Sequence, residues 1–403
     1  KNSIRWGDLI MSSLFTDIMK NGALDSLTAD QLDELILRAQ EIRSEQQDEP
    51  SAGMINACPH CGSIALKKHG TTSKGSVRMI CKDCGKTTTL SESPNTRLTK
   101  SQLAALVSGI IDNLPISVLA ERMGVSRSTA HRHKIQIGDI LYRQLAENMS
   151  KVDESGNPVF RFEGIIQCDE WYCPVSFKGK RDPEFFIWTL KRFPRHNMTA
   201  AEQNEYLMVN GLWEKVTAIP GYLQELRDNT RTYRRGISNE QVCIVVAVDE
   251  ERQIIAKPLS VGRLESADAQ KLFAGRFSGS STLVTDSHSS YPSVAKLESV
   301  NHVQIPSAEH SNGVFNLGTV NGVHSQIEKM LPESAERLPA TKYLNHYMAI
   351  FIWNWQHKGL SLADKAMLLK KTIADSMDCK QSYDTIKNRP LDINTKGEFT
   401  LVV

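Results

Sequence analysis

The sequence predicts a multidomain chain in which a small cysteine ribbon and a helical module precede a larger α/β domain that carries an insertion. Three observations predict it. Two Cys-x-x-Cys pairs fall close together, between Cys58 and Cys84. Helix-forming residues up to Met123, then Gly124 and Ser126, follow one another as two helices joined by a tight turn would. From Val159 on, apolar strand-type runs are followed by segments of helical spacing, with mixed connections.

With 403 residues the chain has room for two to four domains at roughly 100–200 residues each. Hydrophobic residues make up 40% and charged residues 23%, enough for a sizeable core and against wholesale disorder. No apolar run reaches the roughly 18 residues of a membrane-spanning helix. Residues 1–10 lack the order of a secretory signal. Met11 is a candidate natural start, with residues 1–10 then an appended remnant. Of eight cysteines, four cluster and Cys168, Cys173, Cys243 and Cys379 are scattered, which fits a reducing, cytoplasmic compartment. The formal net charge of +2 hides an uneven distribution. Residues 1–50 carry five Lys and Arg against ten Asp and Glu, residues 58–90 six against one, and residues 174–236 eleven against seven. An acidic head followed by basic modules points to a polyanion met by part of the chain.

The elements follow in order. Thr28 and Gln31 form a capping box ahead of Leu32, Leu35, Ile36, Ala39 and Ile42, which predicts a helix over 28–43 that packs on the body or on a partner chain. Residues 46–53 read as a linker, 91–96 as a second and 150–158 as a third. The expected division is therefore an N-terminal helical segment at 1–50, a ribbon at 54–90, a helix-turn-helix domain at 97–150, an α/β domain at 158–357 and a tail at 358–403. Residues 98–140 read as several short helices. Strands are expected at 160–172, 242–248, 253–259, 281–285 and 303–305, and helices at 267–277, 319–331 and 341–356. Residues 193–236, with Tyr206, Trp213 and Tyr222 on a polar background, read as an insertion.

Cys58-Pro-His-Cys61 and Cys81-Lys-Asp-Cys84 are separated by an interval within the roughly 15–20 residues typical of four-thiolate zinc sites. Four soft sulfurs suit a closed tetrahedral Zn²⁺; the competing readings are two disulfides or four buried thiols. His60 and His69 are spare donors. Lys67 and Lys68 belong to a basic coat suited to phosphate, or simply to a solvated face. In the helical module, Ser126 caps a second helix, and Arg127, Ser128, His131 and Arg132 stand on its N-terminal side, where a recognition helix meets the DNA major groove.

Asp169 and Asp286 each lie near the end of an apolar strand. Asn321, His324 and Glu328 fall at i, i+3 and i+7 of one helix, hence on one face, beside an apolar stripe of Val320, Val323, Ile327 and Leu331. Two carboxylates and a helix-borne oxygen can hold two Mg²⁺ ions, with Mn²⁺ as a substitute, and so serve phosphodiester chemistry. His324 reads as a group that orients a phosphate or an attacking oxygen, or as a core histidine.

The series Cys58 to Cys84, Cys168-Asp169-Glu170, Phe177-Lys178-Gly179-Lys180-Arg181, Thr285-Asp286-Ser287-His288-Ser289-Ser290-Tyr291, Val320-Asn321-Gly322-Val323-His324-Ser325 and Ala340-Thr341-Lys342-Tyr343-Leu344 resembles the DDE-type transposases of bacterial insertion sequences, in the group with an N-terminal zinc ribbon and helix-turn-helix. The resemblance covers roughly residues 55–357 in order. It implies an RNase H-like catalytic core, Asp169 and Asp286 as the first two Mg²⁺ ligands, double-stranded DNA as partner (the element's terminal repeats and a target), and a homodimer or larger assembly. It implies Glu, or in some branches Asn, as third ligand. The interval from Asp286 to Asn321 is near the short second interval of such transposases, which suits Asn321 as that ligand. The Asn branch commonly has a basic residue seven positions on, where this chain has Glu328. Resemblance therefore assigns Asn321 and charge assigns Glu328. The expected function is cleavage and strand transfer at element ends. The alternatives are a domesticated DNA-binding regulator with a weakened core, and a nuclease without joining activity.

Overall fold

The computed structural model describes residue 28 and residues 58, 61, 63–71, 77–89, 98–231, 237–306, 308–309, 311–331, 338–376 and 381–397. The expected helix at 28–43, the linkers at 46–53 and 91–96, and His60 lie outside the described residues. No described helix is long and apolar enough to cross a membrane. The chain divides into two compact units, residues 1–134 with 359–380, and residues 135–358 with 381–403.

In the first unit, β1 (Leu66–Thr71), β2 (Val77–Cys81) and β3 (Thr87–Thr89) form an antiparallel three-stranded sheet in the order β1-β2-β3. The helical part begins with α1 (Lys100–Ile111), which Thr99 and Gln102 start with a reciprocal capping box. α2 (Ile116–Arg122) follows, and Gly124 turns the chain at φ +61°, a conformation that costs a side-chain-bearing residue about 1–2 kcal/mol. Ser126 Oγ then accepts the Thr129 N–H at 3.2 Å and starts α3 (Arg127–Ser150). α3 is one helix of 24 residues, longer than the short helices the sequence predicted over 98–140. The reason lies in its buried positions Ala130, Ile135, Ile137, Ile140 and Leu141, which give its face tertiary support over several turns. The compact units divide inside α3, between Lys134 and Ile135.

The second unit is built on a five-stranded mixed sheet. Its strands are β4 (Ile165–Pro174), β5 (Gln241–Val248), β6 (Ile254–Val261), β7 (Thr282–Asp286) and β8 (Asn301–Ile305), in the order β6-β5-β4-β7-β8. β4, β5 and β6 run antiparallel as a meander, and β7 and β8 add in parallel on the other side of β4. β5 is buried at every position from Val242 to Val248, as a strand covered on both faces must be. A minor hairpin joins β9 (Ser311–Asn312) to β10 (Phe315–Asn316).

Helices cover both faces. Residues 193–231 contribute α4 (Ala200–Val209), α5 (Trp213–Thr217) and α6 (Tyr222–Arg231), which close on a cluster of their own around Phe193, Leu207, Leu212 and Leu226. A π-helical turn, Phe185–Thr189, leads into this stretch. α7 (Ser266–Phe273) and α8 (Tyr291–Glu298) bury Phe273, Tyr291 and Val294 against Ile166, Cys168 and Leu283 of the sheet. On the opposite face α9 (Gly318–Met330), a 3₁₀ turn (Thr341–Tyr343) and α10 (Leu344–Gln356) pack Val320, Val323, Ile327, Leu344 and Phe351 against Trp171, Val246 and Val248. Gly138 of α3 meets α10 so closely that a Cβ there would stand 2.9 Å from His346 Cβ. In the tail, α11 (Leu362–Asp375) belongs to the first unit and packs on α1, while α12 (Tyr383–Lys387) belongs to the second. The chain is mixed α/β, with a four-cysteine cluster ahead of the larger sheet.

Candidate active site and zinc centre

Cys58, Cys61, Cys81 and Cys84 come together at the ribbon. Cys58 Sγ lies 3.7 Å from Cys84 Sγ, and Cys61 Sγ 3.6 Å from Cys81 Sγ. Four sulfurs at about 2.3 Å from one tetrahedral ion stand about 3.8 Å apart, so this donor set fits zinc. None of the four is in a disulfide. The knuckles are set by backbone hydrogen bonds: Cys58 N–H donates to Ser63 O, and Gly85, at φ +67°, closes a turn onto Cys81 O. The N–H groups of Cys84 and Asp83 hold the Cys81 thiol down at about 6, while Cys61 in the same cluster is pushed up to about 12. Lys67 and Lys68 are exposed on β1. Arg127, Ser128 and Arg132 are exposed near the start of α3 and His131 is half-buried.

The acidic site forms where β4 runs past the end of β7. The parallel register pairs Cys168 with Thr285, so the next residues on the two strands are Asp169 and Asp286. Carboxylate oxygens of Asp169, Glu170 and Asp286 lie within 4.8 Å of one another. Their orientation is fixed locally. The Glu170 N–H donates to Asp169 Oδ1 at 2.8 Å, and the His288 N–H donates to Asp286 Oδ1 at 2.9 Å. Burial, reinforced by the Asp286 charge, raises the Asp169 carboxyl to about 6. Burial raises Glu170 to about 7, against the opposing pull of the Tyr291 hydroxyl.

Two imidazoles flank the carboxylates. His288 Nδ1 is 3.7 Å from Glu170 Oε1, and His324 Nδ1 is 3.9 Å from Asp169 Oδ2. Burial holds both rings in the neutral range, His324 down at about 4. Neither ring therefore neutralises the acids at pH 7. Buried Glu170 Oε1, His288 Nε2 and His324 Nε2 all lack a hydrogen-bond partner. Glu170 is only 4% exposed, so its free oxygen is a strong sign of a site made for a further group. Three hard carboxylates, one carrying an unsatisfied buried oxygen, fit a divalent cation.

α9 brings its polar edge to this centre. Gln167 of β4 holds it there: Gln167 Oε1 accepts the N–H of Thr319 at 2.8 Å and of Val320 at 3.1 Å, capping the helix start from the sheet. Asn321 and Glu328 are exposed on α9, and Glu328 is not part of the three-carboxylate cluster. His324 is the α9 side chain recorded against Asp169. The 340–344 segment is tied to the residue just before the 177–181 segment: Ser176 N–H donates to Thr341 Oγ1 at 2.7 Å, and Thr341 N–H to Ser176 O at 2.9 Å. The sequence reasoning had not assigned a role to Glu170, His288 or Tyr291. The signals were present as the Asp-Glu pair on β4 and the Asp-Ser-His-Ser-Ser-Tyr run after β7.

An α/β domain with acidic side chains gathered at adjoining strand ends defines the class of fold and site. Residues 213–356 match the family model of the ISXO2-like transposase domain, so this segment is similar to an insertion-sequence transposase domain. Asp286, Asn321, His324 and Glu328 lie inside the match, Asp169 and Glu170 precede it, and the match takes in α5 and α6 of the stretch expected to be an insertion. No curated protein matches the chain.

Proposed function

We propose that the protein is a DNA transposase whose second unit is an RNase H-like nuclease and strand-transfer core. The observation that carries this reading is the convergence of Asp169, Glu170 and Asp286 at the β4–β7 edge, in a chain whose residues 213–356 match a transposase domain. Asp169 and Asp286 would hold divalent cations, Mg²⁺ or Mn²⁺. When bound, such cations supply charge neutralisation and polarisation at a phosphodiester. The protein's own part is to fix the two aspartates by backbone N–H groups and to keep the adjoining acids and imidazoles out of bulk water. Asn321 and Glu328 are the oxygen donors α9 offers as a third ligand, and the polar edge capped by Gln167 is where either would act.

The zinc ribbon, with Lys67 and Lys68, and the helix-turn-helix, with Arg127, Ser128, His131 and Arg132, would hold the element's terminal repeats. Phosphate contacts would position the DNA and base contacts would specify it. A homodimer or larger assembly in the bacterial cytoplasm is the working form this reading implies. The test is transfer of a labelled element-end duplex into supercoiled plasmid in Mg²⁺. Joined product is the expected result. Nicking without joining would make the protein a nuclease, and end binding with neither product would make it a regulator.

A further inference from the structure

We infer that His324 is a nitrogen ligand of the divalent cation held by Asp169, so that the centre is a mixed carboxylate–imidazole site. The inference rests on the proposed cation-binding role of Asp169 and Asp286, and adds to it a donor type that the sequence series does not assign.

The geometry is specific. His324 Nδ1 and Asp169 Oδ2 are 3.9 Å apart, too far for a hydrogen bond. Two donors about 2.1 Å from one octahedral ion stand about 3.0 Å apart when adjacent and about 4.2 Å apart when opposite. Two such contacts span up to about 4.2 Å, so one ion could reach both atoms across the observed separation. The His324 side chain is 14% exposed, and its Nε2 is buried with no protein partner. A histidine buried for packing alone would be expected to satisfy its ring nitrogens. The neighbouring histidines each engage one ring nitrogen with protein, although His288 Nε2 is as unpartnered as His324 Nε2. His302 Nε2 meets Thr285 Oγ1 at 3.0 Å, and His288 Nδ1 accepts the Ser290 N–H at 3.3 Å. That bond leaves the His288 lone pair engaged, so His288 is the internal control. α9 cannot rotate His324 away without breaking the two Gln167 bonds or exposing Val320, Val323 and Ile327. Asn321 lies one turn before His324 and Glu328 one turn after it on the same face, so the three act from one edge.

A nitrogen donor shifts the preference of an oxygen site toward first-row transition ions over Mg²⁺. The expected consequence is that Mn²⁺ binds more tightly than Mg²⁺, and that losing the imidazole weakens Mn²⁺ by about tenfold or more. The experiment uses the full chain with zinc loaded at its cysteines and one equivalent of Mn²⁺, read by pulsed electron paramagnetic resonance for coupling to ¹⁴N. Wild-type protein should show imidazole nitrogen coupling. His324→Gln and His324→Glu should lose it, His324→Glu while still binding the ion through oxygen, and His288→Gln should keep it. Mn²⁺ bound without nitrogen coupling in the wild type, yet lost in Asp169→Asn, would overturn the His324 assignment and leave the carboxylate site standing. Coupling that survives His324→Gln and disappears in His288→Gln would also overturn it. No Mn²⁺ binding by the wild type would overturn both the assignment and the cation reading beneath it.

Discussion

Asp169 and Glu170 are neighbours on β4, and each is driven toward its protonated form by burial, to about 6 and about 7. The folded state therefore holds these protons more tightly than the unfolded chain does. The stabilisation this gives is full below about pH 4 and is lost as pH rises through about 6 and 7. In chelator-treated protein, the melting temperature of the unit that contains the larger sheet should fall between pH 5 and pH 8. Asp169→Asn and Glu170→Gln should each flatten that fall, raising the pH 8 value by a few degrees. Mg²⁺ should stabilise more at pH 8 than at pH 5, because it binds the ionised carboxylates. A melting temperature that rises with pH equally in wild type and both variants would contradict the assignment of these groups. At this scale the aspartates were legible from sequence because each closes an apolar strand run. Glu170 was not, since strand alternation sends its side chain to the opposite face from Asp169.

Elements matter here chiefly through what holds their ends. Gln167 caps α9 from a strand 152 residues earlier in the chain, so no local signal could announce it. Gln167→Ala should cost about 1 kcal/mol of stability, the scale of a lost helix cap. It should lower strand cleavage more than end binding, because the proposed third ligand is assigned to α9. Equal loss of both would show that Gln167 acts only on folding. The ribbon is the opposite case, since the Cys-x-x-Cys spacing announces its cluster. Structural zinc is worth on the order of 10 kcal/mol in small modules. Cys81→Ser should therefore remove one zinc per chain and the ordered ribbon, while the circular dichroism of the α/β unit stays intact. Metal analysis that finds no zinc in pure wild-type protein would refute this. α8 and α11 escaped the sequence reading. Pro292 and a flanking Ser-rich run mask the first, and the second packs on α1, which lies far from it in sequence.

For the whole molecule, sequence order is a poor guide to compact units. The strand series of the sheet was legible because β5, β6 and β7 are apolar runs bounded by polar turns. The division was less so: α3 is continuous across the boundary, and residues 359–380 return to the first unit although they follow the second in sequence. Burial patterns that depend on distant partners leave no such local trace. The proposed function asks these parts to separate their work, with DNA ends held through residues before Ser150 and chemistry at the β4–β7 edge. Single-turnover cleavage of an element-end duplex in Mg²⁺, measured beside end binding, tests this most directly. Asp169→Asn and Asp286→Asn should each abolish cleavage and leave end binding within about twofold of wild type, since neither aspartate is assigned to DNA recognition and removing one relieves like-charge repulsion. Wild-type-like cleavage by either variant would contradict the account.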